Sequence, residues 1–217
     1  MHDRDLLTML QTHAPLTPTS LCPSLRAFQA HDELPLWQAL EDALGTRIDA
    51  PFFAVAWPGA QAVARVLLDG DVDVRGKLVV DLGCGSGIAS VAAKLMGAQR
   101  VIGVDIDELA LATTRLLARE HDVDVDTINA SLLHDDIEAV VEGADVVLAA
   151  DLVYNRDLGA ALARRARRWI AAGKQVVLAD SGRPFFDDIG LSVRATFSVP
   201  VPRGVEGRDV RDVRVMW

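Results

Sequence analysis

The stretch VVDLGCGSGIA, residues 79–89, sets Gly83, Gly85 and Gly87 directly after an apolar run. Asp81 lies at the end of that run and Ser86 between the last two glycines. Glycines so spaced let a backbone come close to a ligand at the end of a strand. A phosphate loop needs Gly-x-x-x-x-Gly-Lys-Ser/Thr, and no lysine follows here. A dinucleotide fingerprint needs Gly-x-Gly-x-x-Gly/Ala. The third position is Ile88 counted from Gly83 and Ser90 counted from Gly85, so that pattern fails too. Without a diphosphate, the close approach suits an amino-acid moiety and a ribose. Asp105, 18 residues beyond Gly87, ends the next apolar run, where an acid accepts both ribose hydroxyls. The alternative is a strand-end Asp capping the next helix, a place for which Asp107 is better positioned.

Around these residues the pattern alternates. Strands are predicted over 77–83, 100–106, 125–130, 145–151 and 175–181, and helices over 61–69, 87–98, 108–120, 137–142 and 158–173. Alternating strands and helices call for a doubly wound, Rossmann-like α/β sheet, mostly parallel and covered on both faces. Residues 191–199 and 209–217 alternate apolar and polar across a Pro/Gly loop, which predicts a C-terminal antiparallel hairpin and seven strands in all. Residues 1–50 read as helical pieces broken by Pro15, Pro18, Pro23 and Pro35, with 33–44 the clearest helix. The expected division is an N-terminal helical extension on the substrate side over 1–50 and a catalytic domain over 51–217.

The 217 residues are half apolar, which excludes disorder, and no apolar run is long enough to span a membrane. A net charge of −9 disfavours nucleic acid as a partner. The run RRARR, 164–168, lies among alanines on a helix and is expected to be a solvated face. Asp3 and Asp5 argue against a secretory or transit signal. Cys22 and Cys84 make no metal spacing, and His31, His121 and His134 are scattered, so neither a metal nor a disulfide is expected. A cytoplasmic location is the expectation.

VVDLGCGSG followed by VIGVDID resembles the nucleotide-side motifs of the seven-strand, class I S-adenosylmethionine-dependent methyltransferases. The resemblance implies S-adenosylmethionine as cofactor, with its methionine part against the loop Asp81–Gly83–Gly85–Ser86–Gly87. It implies Asp105 on the ribose, Ile106 against the adenine, and either Asp135 or Asp136 at the adenine amine. Two further stretches narrow it. PFFAVAWPGAQAVARVLLD (51–69) and AADLVYNRDL (149–158) resemble segments of the electron-transfer flavoprotein β-subunit lysine methyltransferases, as does ELPLWQALEDALG (33–45). Trp57-Pro58-Gly59 with Asp151-x-x-Tyr154 is the specific combination. Phe53 stands where that family usually has Trp, and Val153 and Asn155 depart from its second motif; the Phe53 and Asn155 departures lie in segments expected to line the acceptor side.

The resemblance implies a protein-lysine N-methyltransferase. The cofactor supplies the hard chemistry and the protein supplies orientation and a dry site. A lysine of pKa about 10.4 must be neutral to react, which costs roughly 4.6 kcal/mol at pH 7. Burial beside a cationic sulfonium reduces that cost. Asp151 would bond the incoming amine, Tyr154 would wall the lysine channel, and Trp57 would cover cofactor or lysine stem. Each has a plainer alternative: Asp151 capping the helix near Arg156, Tyr154 as core, Trp57 as a packed turn. The implied partner is a protein bearing an exposed lysine, with the electron-transfer flavoprotein β subunit first. The competing readings are a small-molecule N-methyltransferase and a non-catalytic cofactor-binding module.

Overall fold

Short β-branched runs form the centre of the molecule because both faces of the sheet they build are covered. The structure is a computed structural model that describes residues 1–185, 189–201, 207 and 209–217. Five parallel strands carry it: β3 (Leu78–Leu82), β4 (Arg100–Asp105), β5 (Asp126–Asn129), β6 (Val146–Ala150) and β7 (Gln175–Asp180). The C-terminal strands β8 (Val193–Pro200) and β9 (Val210–Met216) pair antiparallel, and β9 joins β7. The sheet order is β5-β4-β3-β6-β7-β9-β8, the doubly wound, mostly parallel seven-strand arrangement expected from the sequence. Most of the Pro/Gly segment between β8 and β9, 202–206 and 208, lies outside the described residues.

Helices α3 (Pro58–Leu68), α4 (Ile88–Leu95) and α5 (Glu108–Glu120) cover one face, joined in one core with Val79, Val101 and Val146. Helices α6 (Asp136–Val141) and α7 (Arg156–Ala171) cover the other, over Val80, Ile102 and Val147. Residues alternate between these two cores along each strand, as the two-residue period requires.

The N-terminal segment differs from its expected helical form. Helices α1 (Asp3–His13) and α2 (Glu33–Leu44) are present, but a two-strand antiparallel sheet, β1 (Leu16–Pro18) with β2 (Arg26–Phe28), stands between them. Pro15, Pro18 and Pro23 remove the amides a helix would need there, and the turn is closed by bonds from Thr19 N–H to Leu25 O and Thr19 Oγ1 to Cys22 O. Leu6, Leu10, Leu36 and Leu40 are buried in the same core as Val63, Val91 and Leu117.

The three lysines lie at the edge where the parallel strands begin, each ammonium bonded to backbone carbonyls. Lys77 Nζ reaches Asp73 O, Lys94 Nζ reaches Ala98 O and Gln99 O, and Lys174 Nζ reaches Glu142 O and Ala144 O. The glycine loop lies at the opposite edge. Among the described residues no helix is long and apolar enough to cross a membrane.

The shared core makes a prediction. Leu36→Ala is expected to cost about 2–5 kcal/mol in a single cooperative urea transition that also unfolds the sheet. Separate melting of the N-terminal segment, with the sheet unaffected, would contradict it.

Candidate active site

The glycine loop follows β3 and opens α4, with Gly83, Gly85 and Gly87 all at positive φ (63°, 51° and 83°). The three face different neighbours. A Cβ at Gly83 would stand 2.6 Å from Leu152 Cδ1, and one at Gly87 would stand 2.9 Å from Thr114 Oγ1. At Gly85 the nearest atom would be Gly83 O at 3.9 Å, so only there does the missing side chain leave open space. That opening is the room a ligand's approach needs. Cys84 and Ser86 are buried within the loop.

Asp105 ends β4 and holds the loop. Its Oδ2 accepts from Gly85 N–H at 3.0 Å and its Oδ1 from Asp107 N–H at 3.1 Å. Asp107 caps α5 through Leu109 N–H, as anticipated. Each carboxylate oxygen of Asp105 thus retains acceptor capacity beyond one backbone bond. Ile106, next in sequence, is 63% exposed, an apolar platform beside that carboxylate. Asp81 is buried under the loop and accepts from Ser90 Oγ at 2.6 Å. Burial pushes its carboxyl up to about 7, against the Ser90 bonds.

Asp151 lies just past β6 with φ 53°. Its Oδ2 accepts from Gly59 N–H at 2.6 Å and Ala60 N–H at 3.2 Å, and its Oδ1 from Ser181 Oγ at 3.3 Å. A carboxylate at the N-terminus of α3 satisfies two amides that have no helical partner. Gly59 must be glycine for this: a Cβ there would fall 2.5 Å from Asp151 Oδ2. Trp57-Pro58-Gly59 and Asp151-x-x-Tyr154, 92 residues apart, are therefore one unit. Burial pushes the Asp151 carboxyl up to about 6, against the α3 amides and the Arg183 charge.

The neighbours correct several expectations. The cap of α7 is Asn155, whose Oδ1 accepts from Leu158 N–H at 2.9 Å; Asp151 caps α3 instead. Phe53 and Val153 are buried in the core, and the exposed Asn155 uses its side-chain oxygen to cap α7. Tyr154 is 56% exposed and outside the core. Its phenol is held above its ordinary range by burial first, then by the charges of Asp105 and Asp49. Half-buried Trp57 donates its Nε1–H to Phe52 O at 2.8 Å and tilts against the exposed Phe52 ring at 6.0 Å. Asp136 is an exposed residue at the start of α6, while the Asp135 carboxylate pairs with Arg165 at 3.1 Å.

Arg165 corrects the reading of RRARR as a solvated face: Arg164, Arg167 and Arg168 are exposed, and Arg165 is buried. The signal was present, since 158, 162, 165 and 169 lie on the inward stripe of α7. Ser181 and Asp49, which sequence reasoning missed, carry no motif and reach the site only through the fold. No cluster of side chains suited to a metal occurs among the described residues.

Residues 66–155 match the family model described as ribosomal protein L11 methyltransferase. The chain is 33% identical over 144 residues to the electron transfer flavoprotein beta subunit lysine methyltransferase of Danio rerio, covering 64% of this chain and 53% of that one. The counterpart in Rattus norvegicus is 32% identical, with 70% and 60% covered. The ribosomal protein L11 methyltransferase of Alteromonas mediterranea is 41% identical over 118 residues, covering 53% of this chain and 39% of that one. The chain thus spans about half the length of the flavoprotein methyltransferases it matches. Among solved structures, the ribosomal protein L11 methylase of Lactobacillus delbrueckii subsp. bulgaricus superposes with a TM-score of 0.51 at 18% identity, with 73% and 77% covered. Magnesium protoporphyrin IX methyltransferase of Synechocystis PCC 6803, with bound S-adenosylmethionine, superposes at 0.50 and 20% identity, with 72% and 78% covered.

Fold, glycine loop and the match to a methyltransferase family model together define a class I S-adenosylmethionine-dependent methyltransferase, a class whose cofactor is S-adenosylmethionine. Within that class, the chain is similar to the flavoprotein β-subunit lysine methyltransferases and, over a shorter stretch, to the ribosomal protein L11 methyltransferases. The residues present fit the cofactor: open space at Gly85, a carboxylate with free lone pairs at Asp105, and an exposed apolar side chain at Ile106.

Buried Asp81 sets a pH dependence. Its folded pKa, about 7, lies above the ordinary 3.8, so the folded state binds the extra proton between those values. The stability it contributes is present below about pH 4 and is lost as pH rises through 7. Asp81→Asn is expected to stabilise the protein at pH 8 by up to about 4 kcal/mol, with the gain vanishing near pH 4. Urea unfolding at the two pH values checks this; an equal effect at both would contradict it.

Proposed function

We propose that the protein is a protein-lysine N-methyltransferase, and that its acceptor lies over the unit formed by Asp151, Gly59 and Tyr154. The observation that carries this reading is the bond from Gly59 N–H to Asp151. It joins the two segments that resemble those of the lysine methyltransferases, beside the glycine loop, where Leu152 packs on Gly83.

When bound, S-adenosylmethionine supplies an electrophilic methyl group on a cationic sulfonium. Asp105 accepts from the ribose hydroxyls, Ile106 lies against the base, and the Gly85 opening admits the amino-acid end. Asp151 Oδ1, already bonded by Ser181 Oγ, accepts from the incoming amine and aims its lone pair. Tyr154, a neutral phenol at about pH 7, walls the channel and offers its hydroxyl. Phe52 and Trp57 cover the lysine stem and exclude water.

The first acceptor to test is the electron-transfer flavoprotein β subunit, on the strength of the shared segments and the named relatives. The family-model match favours a second protein acceptor, ribosomal protein L11. A cytoplasmic location belongs to the same proposal. Enzyme, cofactor and each candidate protein are mixed and the intact mass is measured. A gain of about 14, 28 or 42 Da, one to three transferred methyl groups, on the flavoprotein subunit is the expected result. Gain on L11 alone selects the second acceptor, and label confined to small molecules sinks the protein-lysine reading.

Two variants separate binding from chemistry. Asp105→Ala is expected to weaken cofactor binding roughly 10- to 100-fold in calorimetry, since bonds to a charged acceptor are worth about 1.5–3 kcal/mol. Asp151→Asn is expected to lower turnover with cofactor affinity nearly constant. Equal losses in both quantities would assign Asp151 to the cofactor site or to folding.

A further inference from the structure

Arg165 is 1% exposed, on the inward stripe of α7, and its guanidinium is spent on one short segment of chain. Nε donates to Leu132 O at 3.0 Å, and Nη2 to His134 O at 2.8 Å and Asp135 Oδ1 at 3.1 Å. Nη1 donates to Glu138 Oε1. Glu138 is held from its other oxygen by Trp169 Nε1–H at 3.0 Å. One fork thus fixes four points of the stretch 132–138, which contains no strand and only the start of the short helix α6.

That stretch begins beside the nucleoside side of the cleft. Ala130 N–H donates to Asp105 O at 3.2 Å, and Asn129 Nδ2 donates to Ile106 O at 3.1 Å. The chain then turns into the segment that Arg165 holds, where Leu133 is exposed. A buried cation on the far helix therefore sets the position of the chain adjoining the ribose and base platform. Lysine carries the same charge but lacks the planar fork that serves several acceptors at once.

We infer that Arg165 is a positioning residue for the cofactor: it touches no ligand, and it holds segment 132–138 as the outer wall of the nucleoside subsite. This rests on the placement of the nucleoside at Asp105 and Ile106 in the proposed function. The wall acts on the nucleoside end alone, so its loss weakens every ligand carrying that end by one factor.

The test is calorimetry with S-adenosylhomocysteine and with 5′-methylthioadenosine, which lacks the amino-acid end, on the whole protein. Arg165→Lys is expected to weaken both by the same factor, about tenfold, with binding stoichiometry unchanged. Glu138→Gln, a milder change to a partner of the fork, keeps the test open if Arg165→Lys fails to fold; it is expected to weaken both ligands by a smaller common factor, about two- to threefold. Unchanged affinity in a folded variant overturns the inference, as does a loss confined to S-adenosylhomocysteine. A lower stoichiometry with unchanged affinity also overturns it, because that is the mark of a merely structural role. A wild-type protein that binds neither ligand overturns the nucleoside placement itself, and the inference with it.

Discussion

The site depends on one carboxylate placed against one helix end. Asp151 gives both oxygens to other segments: Oδ2 to the first amides of α3, Oδ1 to Ser181 beyond β7. Three chain segments distant in sequence meet there, and the meeting requires a residue without Cβ at 59 and a left-handed backbone at 151. Burial works against the ionised form and the helix amides work for it, so the carboxyl settles at about 6. A charge held so near neutrality sits beside the place proposed for an amine that must itself become neutral. Under the proposed reaction the same group builds the wall and conditions the chemistry beside it.

The pattern extends along the sheet. Asp81 within β3, Asp105 at the end of β4, Asp151 after β6 and Asp180 at the end of β7 place an acid at the carboxyl end of four neighbouring parallel strands. Each is answered locally: Asp81 by Ser90, Asp105 by Gly85 and Asp107, Asp151 by α3, and Asp180 by Arg183 N–H and by Arg214 across the antiparallel strand β9. These bonds explain how carboxylates stand together at one edge without destroying it. They also tie each strand end to the loop beyond it, which keeps the floor of the cleft in register.

The sheet was legible because its signals are local. Apolar runs, glycine breaks and a two-residue alternation at the C-terminus suffice to place β3 to β9 within a residue or two. The N-terminal hairpin was missed because β1 and β2 are three residues each, too short for any period to show, and prolines mark only where helices stop. Among site residues, Asp105 and the glycines announce themselves by spacing. The meaning of Asn155, Phe53 and Arg165 does not, because each depends on which way a helix or turn faces. Arg165 was hidden for a physical reason: a guanidinium among other arginines carries the composition of a solvated face even where the helical stripe points it inward. The motifs 57–59 and 151–154 were visible separately, but a hydrogen bond across 92 residues has no sequence signature.

The placement of the lysines has a practical side. An alkylating enzyme kept with its own methyl donor commonly marks its own surface, and that background obscures a slow reaction on a true acceptor. Here the side-chain amines number three, all at the edge of the sheet away from the glycine loop, each already engaged with backbone carbonyl oxygens. Reaching the cleft of its own molecule is geometrically closed to every one of them. Under the proposed reaction the protein is a near-silent reference, against which a single methyl group gained by another chain can be counted.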